Sequence, residues 1–320
     1  MSKEILVTGA FGQIGSELVP ALQKQHGVDH VVALGHRNIP SDFQGKIEKA
    51  DTTDKSTVEG IIKKHSINTI YHLVSLLSAR GEENPNLTWD VNTKGLKDIL
   101  DLALLYQAQV FWPSSIAAFG PTTPRDSTPQ KTILEPTTMY GVTKVEGENL
   151  CRYYFVRYGL DVRSVRYPGL ISWKAEPGGG TTDYAVAIFY EGLQRGEYTF
   201  FVRPDTTLPM MYMDDAVKGT MNLMNAGIDL EARRNRKDWD SYNLGAISFE
   251  AQELEQEVKK HIPDIKVSYE PDSRQVIADS WPQSFDDSVA RKEWGWQHDF
   301  DLPRMTKEMV KNLRRKFDQH

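Results

Sequence analysis

Tyr140 and Lys144 form a Y-x-x-x-K pair in PTTMYGVTKVEGE. On a helix, four residues put both side chains on one face. A free tyrosine has a pKa of about 10, and a lysine ammonium beside it favours the phenolate and lowers that value. Ser114-Ser115 stand at the end of an expected strand, with Ser115 25 residues before Tyr140. Together these residue types suit alcohol oxidation. A tyrosinate takes the hydroxyl proton while hydride leaves the carbon for a nicotinamide, and a serine hydroxyl steadies the oxygen as charge develops. A Tyr–Lys pair alone also occurs on ordinary exposed helices, so the surrounding chain decides its weight.

Gly9-Ala10-Phe11-Gly12-Gln13-Ile14-Gly15 is a G-x-x-G-x-x-G turn between an expected strand and an expected helix. Glycines let a backbone turn tightly and approach a pyrophosphate, and a helix N-terminus offers N–H donors and a favourable dipole. A ribose-binding acid is expected about 20 residues past the last glycine. Gly35 stands there instead, followed by His36 and Arg37. Arg37 either meets a 2'-phosphate, stacks on adenine or faces solvent. Asp51, at the end of a third β-like run, either meets the adenine amine or caps the helix ahead of Lys55.

Alternating short β-rich runs and helical patterns must position these groups. Glu4–Thr8, His30–Leu34, Asn68–Leu73, Val110–Ser114, Asp161–Arg166 and Tyr242–Leu244 read as strands. Gln13–Gln25, a stretch ending near Leu105, and Tyr140–Tyr158 read as helices. The expected fold class is α/β: a doubly wound parallel-sheet Rossmann domain with a smaller mixed substrate-binding lobe. Residues 1–168, with 209–247 returning, are assigned to the dinucleotide domain; 169–208 and 248–320 are assigned mainly to the lobe. Gly178–Asp183 should open a helix running to about Leu193. Its amides and a threonine hydroxyl are candidates for holding a substrate carboxylate, or the segment is simply a helix cap.

The 320 residues carry 44 acidic and 38 basic side chains, a net charge of −6. Mild acidity argues against a nucleic-acid partner, and no run approaches the ~18 apolar residues of a membrane span. The chain enters a strand at once from MSKEILVTGA, so no leader is expected, and the single cysteine, Cys151, fits a cytoplasmic setting. Cys151 reads as a core thiol and His72 as a hydrogen-bonded core residue. The eight histidines show no paired spacing, so no metal site is expected.

The chain resembles the extended short-chain dehydrogenase/reductase family, most closely its L-threonine 3-dehydrogenase branch, which is similar in fold to nucleotide-sugar epimerases. VTGAFGQIGSEL and PTTMYGVTKVEGE are general to the superfamily. YHLVSLLSARGE, PSSIAAFG and VRSVRYPGLISW extend the match. PGGGTTDYA, LPMMYMDDA and DSWPQSFDDSVAR are more specific to that branch, and the segments run from Val7 to Arg291. The resemblance implies Tyr140 as acid/base, Ser115 as its partner and Lys144 as the activator that also holds the nicotinamide ribose. It implies NAD contacts at Gly9, Phe11, Gly12, Gln13, Ile14, Gly15, Asp51, Leu73, Val74, Ser75 and Asn92, with Tyr167, Pro168 and Leu170 lining the nicotinamide. Ser78, Ser115, Tyr140, Thr181, Thr182 and Trp281 would contact L-threonine. The reaction implied is oxidation to L-2-amino-3-oxobutyrate in threonine catabolism, by a homodimer. Members usually carry an acid where Gly35 stands. The alternative within the superfamily is a nucleotide-sugar epimerase or dehydratase, for whose diphosphate LLSARGE offers little.

Overall fold

The computed structural model describes residues 3–36 and 39–318, and only the backbone at 79 and 80. Its strands are β1 Ile5–Thr8, β2 Val31–Gly35, β3 Lys46–Lys49, β4 Thr69–His72, β5 Gln109–Ser115, β6 Val162–Tyr167, β7 Gly169–Ile171, β8 Glu197–Phe200, β9 Thr207–Tyr212, β10 Tyr242–Asn243, β11 Ile247–Glu250 and β12 Lys266–Tyr269. The helices that bear on the site are α1 Gly15–His26, α2 Lys55–His65, α3 Ser78–Glu83, α4 Pro85–Trp89, α5 Gly95–Tyr106, α6 Met139–Tyr158 and α7 Tyr184–Arg195.

Two compact units share the chain. The first takes the stretch up to Ala118, Thr137–Arg166 and Val217–Tyr242; the second takes Phe119–Pro136, Tyr167–Ala216 and the chain from Asn243 onward. Within the span 1–168 read above as one domain, Phe119–Pro136 packs instead with the second unit. There Thr128 bridges Phe285, and its carbonyl accepts a bond from Asn243 Nδ2 at 3.0 Å.

A seven-stranded parallel sheet, ordered β10-β6-β5-β4-β1-β2-β3, organises the first unit. Its inner strands are buried along their whole length at β1, β2, β4 and β6, which is why they read as unbroken apolar runs. The edge strand β3, KIEK, is largely exposed and guarded by its lysines. Strand order reverses between β1 and β4, where Thr8 is in register with His72. In open α/β sheets that switch point, at the carboxyl ends of the strands, is where ligands bind. Helix α6 buries Lys144, Gly147, Glu148, Cys151, Tyr154 and Phe155 on one face. Gly147 allows its close approach to β5: a Cβ there would stand 2.4 Å from the Trp112 ring.

The second unit is mixed. Strands β11, β9 and β7 form one small sheet, antiparallel then parallel, and β12 pairs β8 in parallel. Helix α7 begins at Tyr184, after the triple glycine, and is buried over most of its length. The helix Leu302–Asp318 packs through Met305, Met309, Val310 and Leu313. Among the described residues, no helix is long and apolar enough to cross a membrane.

Candidate active site

The glycine turn is shaped by what its residues lack. Gly9 has φ +67°, a left-handed conformation, and lies against the Val74 backbone. A Cβ on Gly15 would fall 2.3 Å from the Gly9 carbonyl oxygen and 2.7 Å from the Ala10 carbonyl. Helix α1 starts from this turn with Ile14 as N-cap and no side-chain capping bond. Beside it is a cavity of about 610 Å³ lined by Gly9, Phe11, Gly12, Gly35, Asp51 and Val74, among others. A backbone cradle, an uncapped helix start and a cavity at the switch point fit the pyrophosphate and adenosine of a dinucleotide.

Glycine at position 35 has a steric reason. A Cβ there would lie 2.6 and 2.7 Å from Cδ2 and Cε2 of Phe11. Asp51 faces the same cavity, and its Oδ1 accepts from both the backbone N–H (2.9 Å) and the hydroxyl (2.8 Å) of Thr53. The helix cap is a different residue: Asp54 accepts from Thr57 N at the start of α2. Gln13 is exposed and Ile14 half-buried at the start of α1. Arg37 lies outside the described residues.

Ser115, Tyr140 and Lys144 come together in the first unit. The Ser115 hydroxyl hydrogen-bonds the Tyr140 phenol and so favours the phenolate, while its oxygen accepts from Ala117 N at 3.2 Å. Ser114, its neighbour, turns the other way and donates to Glu148 at 2.6 Å. Lys144 Nζ donates to the Pro113 carbonyl at 2.7 Å and lies 4.7 Å from the Trp112 ring centre and 5.3 Å from that of Tyr140. The expected lowering of Tyr140 is reversed in this geometry. Burial pushes the phenol up to about 12, with the Ser115 bond opposing it, because the lysine lies against the ring and its hydrogen bond goes elsewhere. Burial also brings Lys144 down to about 7.

Several supporting residues were not singled out from the sequence. Glu148 and Arg166 form a buried ion pair at 2.8 Å, which occupies the carboxylate one turn beyond Lys144. Trp112 supports both Lys144 and Gly147. The available signal was Gly147 itself, a glycine in a helix interior that usually marks close packing. Asn92, expected at the cofactor, uses its amide internally. Its Oδ1 accepts from Leu76 N (2.8 Å), and its Nδ2 donates to Leu76 O and to Thr143 Oγ1, both at 3.0 Å. Thr143 in turn donates to the Tyr140 carbonyl at 2.8 Å. Asn92 sits in a π-helical turn, Asp90–Lys94, and ties the loop after β4 to α6. Leu73, Val74 and Ser75 lie in that loop, half-buried, and buried Ser78 begins α3. His72 bonds Thr8 through Nδ1 at 2.8 Å, and Cys151 is a buried free thiol.

The remaining expected residues belong to the second unit. Tyr167 and Pro168 are buried and Leu170 is half-buried on β7. Gly169 lets Thr182 approach this segment, since a Cβ there would lie 2.8 Å from the Thr182 side chain. Thr181 and Trp281 are buried, and the Trp281 carbonyl accepts from Arg125 Nε at 3.1 Å. The amides of Gly178 and Gly180, considered above for a substrate carboxylate, both donate to Asp183 Oδ2, at 2.7 and 2.8 Å.

The sequence profile of the "NAD dependent epimerase/dehydratase family" matches residues 5–245. An uncharacterised epimerase/dehydratase of Staphylococcus haemolyticus is 47% identical over 318 residues, 98% of each chain. The mitochondrial L-threonine 3-dehydrogenase of Bos taurus is 45% identical over 311 residues, 96% of this chain and 82% of that one. A monomeric L-threonine 3-dehydrogenase from a metagenome superposes with a TM-score of 0.92 at 50% identity, covering 98% of this chain and 99% of the other.

Proposed function

The chain belongs to the NAD dependent epimerase/dehydratase family, and we propose that within it the protein is an NAD-dependent L-threonine 3-dehydrogenase. What carries this reading is the Ser115–Tyr140–Lys144 assembly in the same unit as a backbone cradle suited to a dinucleotide, in a chain 45% to 50% identical to proteins of that name.

Bound NAD would supply the hydride acceptor for the carbon that bears the threonine hydroxyl. The protein does the rest. Gly9, Gly12, Gly15 and the start of α1 would hold the pyrophosphate, and Phe11, Asp51 and the loop Leu73–Ser75 would line the adenosine side. Ser115 holds the substrate oxygen, and Tyr140 takes its proton as the carbonyl of L-2-amino-3-oxobutyrate forms. Burial makes the phenolate costly, so the Ser115 bond and a charged Lys144 must offset that cost. Asn92 acts one step back, holding Leu76 and, through Thr143, the first turn of α6. As the family resemblance implies, Tyr167, Pro168 and Leu170 would serve the nicotinamide, and Ser78, Thr181, Thr182 and Trp281 the amino acid. The first unit thus serves as the dinucleotide domain and the second as the substrate lobe. The same reading includes a role in threonine catabolism, a cytoplasmic location and a homodimer, although the metagenome relative is described as monomeric.

Initial rates of reduced-nicotinamide formation with L-threonine test the reaction. Tyr140→Phe should lower turnover by about 10² to 10⁴-fold and leave cofactor affinity unchanged. Wild-type turnover in that variant would overturn the mechanism. Protein that binds NAD but ignores L-threonine and binds UDP-sugars in calorimetry would overturn the substrate.

A further inference from the structure

We propose that Phe11 and Gly35 act as a matched pair that leaves the cofactor groove without its usual means of excluding a 2'-phosphate, so that this protein binds NADP as well as NAD. The inference rests on the dinucleotide reading above. A carboxylate near the end of the second strand is the group that meets the ribose 2'-hydroxyl in an NAD site; it also repels a phosphate there. Gly35 ends β2, and the space its side chain would need is already filled. A Cβ there would meet Phe11 Cδ2 and Cε2 at 2.6 and 2.7 Å and Ile39 Cγ1 at 3.0 Å. Phe11 is half-buried. Its backbone belongs to the glycine turn, and its ring packs edge-on against Phe43 at 5.2 Å. The glycine is therefore the complement of the phenylalanine, and a side chain at 35 requires the ring at 11 to move.

The rest of the lining does little to replace the lost carboxylate. Among the described residues, Asp51 and Glu83 are the acids on it, and Asp51 Oδ1 is turned into its own loop by two bonds from Thr53. His36, next to Gly35 and exposed, also lines the cavity; an imidazole N–H donates to a phosphate rather than repelling it. Rejection of a closely related ligand needs a repulsive element as well as good contacts to the preferred one. In this groove that element has given way to an aromatic ring.

The test is calorimetric titration of the intact protein with NAD and with NADP, alongside thermal unfolding of each variant without cofactor. The wild-type protein should bind the two with dissociation constants within about tenfold of each other. Gly35→Ala, which adds only the Cβ, should weaken both together by displacing Phe11. Gly35→Asp should weaken both further, whereas Phe11→Ala combined with Gly35→Asp should recover NAD and reject NADP by about 100-fold. If Gly35→Asp fails to fold, rescue of folding by the added Phe11→Ala supports the coupling, and failure of rescue overturns it. A wild-type preference for NAD above about 100-fold, or a Gly35→Asp variant that binds NAD normally with Phe11 intact, would also overturn it. Wild-type protein that binds neither nucleotide would instead take down the dinucleotide reading, and this proposal with it.

Discussion

Helices α1 and α6 end alike and begin differently. Each stops at a glycine with positive φ, Gly27 at 96° and Gly159 at 75°. At its start, α6 is closed by the protein's own groups. Thr138 is extended, and its hydroxyl accepts from Gly141 N at 3.1 Å, while the Glu82 carboxylate accepts from Met139 N at 2.6 Å. Helix α1 starts from the glycine turn on Ile14, which is itself helical and offers no capping oxygen. The positive end of a helix dipole favours negative groups and hydrogen-bond acceptors near the first turn. At α1 it faces a cavity and suits an anion from outside. At α6 it is satisfied internally, which fixes the turn that carries Tyr140. On the dinucleotide reading, the same local chemistry makes a binding element in one place and a scaffold in the other.

The strongest way to break this contrast is to close the open end. Gly15→Ala puts a methyl 2.3 Å from the Gly9 carbonyl oxygen, a backbone atom that cannot rotate away. The turn must open, and NAD affinity should fall by about 100-fold or more in calorimetry, with a stability loss of about 1 to 3 kcal/mol from overpacking. Unchanged affinity would mean that the turn is not the pyrophosphate cradle.

Inside α6 the contrast sharpens through pH. In the unfolded chain Lys144 keeps its proton to its ordinary value of 10.5, but in the buried site it releases it near 7. Between those values the unfolded chain binds more protons than the folded one, so this lysine destabilises the fold fully below pH 7, and the effect fades as pH rises toward 10.5. Lys144→Met removes that dependence. The stability difference between wild type and variant should change by up to about 1.4 kcal/mol per pH unit across this window, with wild type gaining at high pH. Parallel urea-denaturation curves at every pH would show that burial does not hold Lys144 near neutrality.

How much of this was legible in the sequence follows from the range of the interactions. Strands β1, β2, β4, β5 and β6 come within a residue or so of the apolar runs that forecast them, because an inner parallel strand is buried on both faces. The small sheets of the second unit were not foreseen in pairing or direction. Their strands meet partners far along the chain, as Phe249 meets Leu208 and Tyr269 meets Phe200. The site divides in the same way. Tyr140 and Lys144 are linked by helical spacing, and Gly9 to Gly15 by the demands of a turn. That Phe11 covers Gly35, that Trp112 underlies Lys144 and Gly147, and that Asn92 bonds Leu76 all depend on which elements lie side by side. No local pattern encodes those contacts. Ser114 and Ser115 differ only in which side of β5's end each faces, and this sends one to Glu148 and the other to Tyr140.

The smallest expected effect lies at the closed end. Thr138→Ala removes the hydroxyl that accepts from Gly141 N, a loss of about 1 kcal/mol in stability for an N-cap, read from the urea midpoint. The helix survives because Glu82 still holds Met139 N and the buried face from Lys144 to Phe155 still packs. Thr138→Ser, which restores a capping hydroxyl, should recover most of the loss. Since the first turn carries Tyr140, turnover should fall modestly with the cap while NAD affinity stays put. A large loss of NAD affinity in Thr138→Ala would mean that the start of α6 also binds the cofactor, and the division of labour between the two helix starts would fail. A stability loss rescued by serine, with affinity unmoved, is the result that a purely internal cap requires.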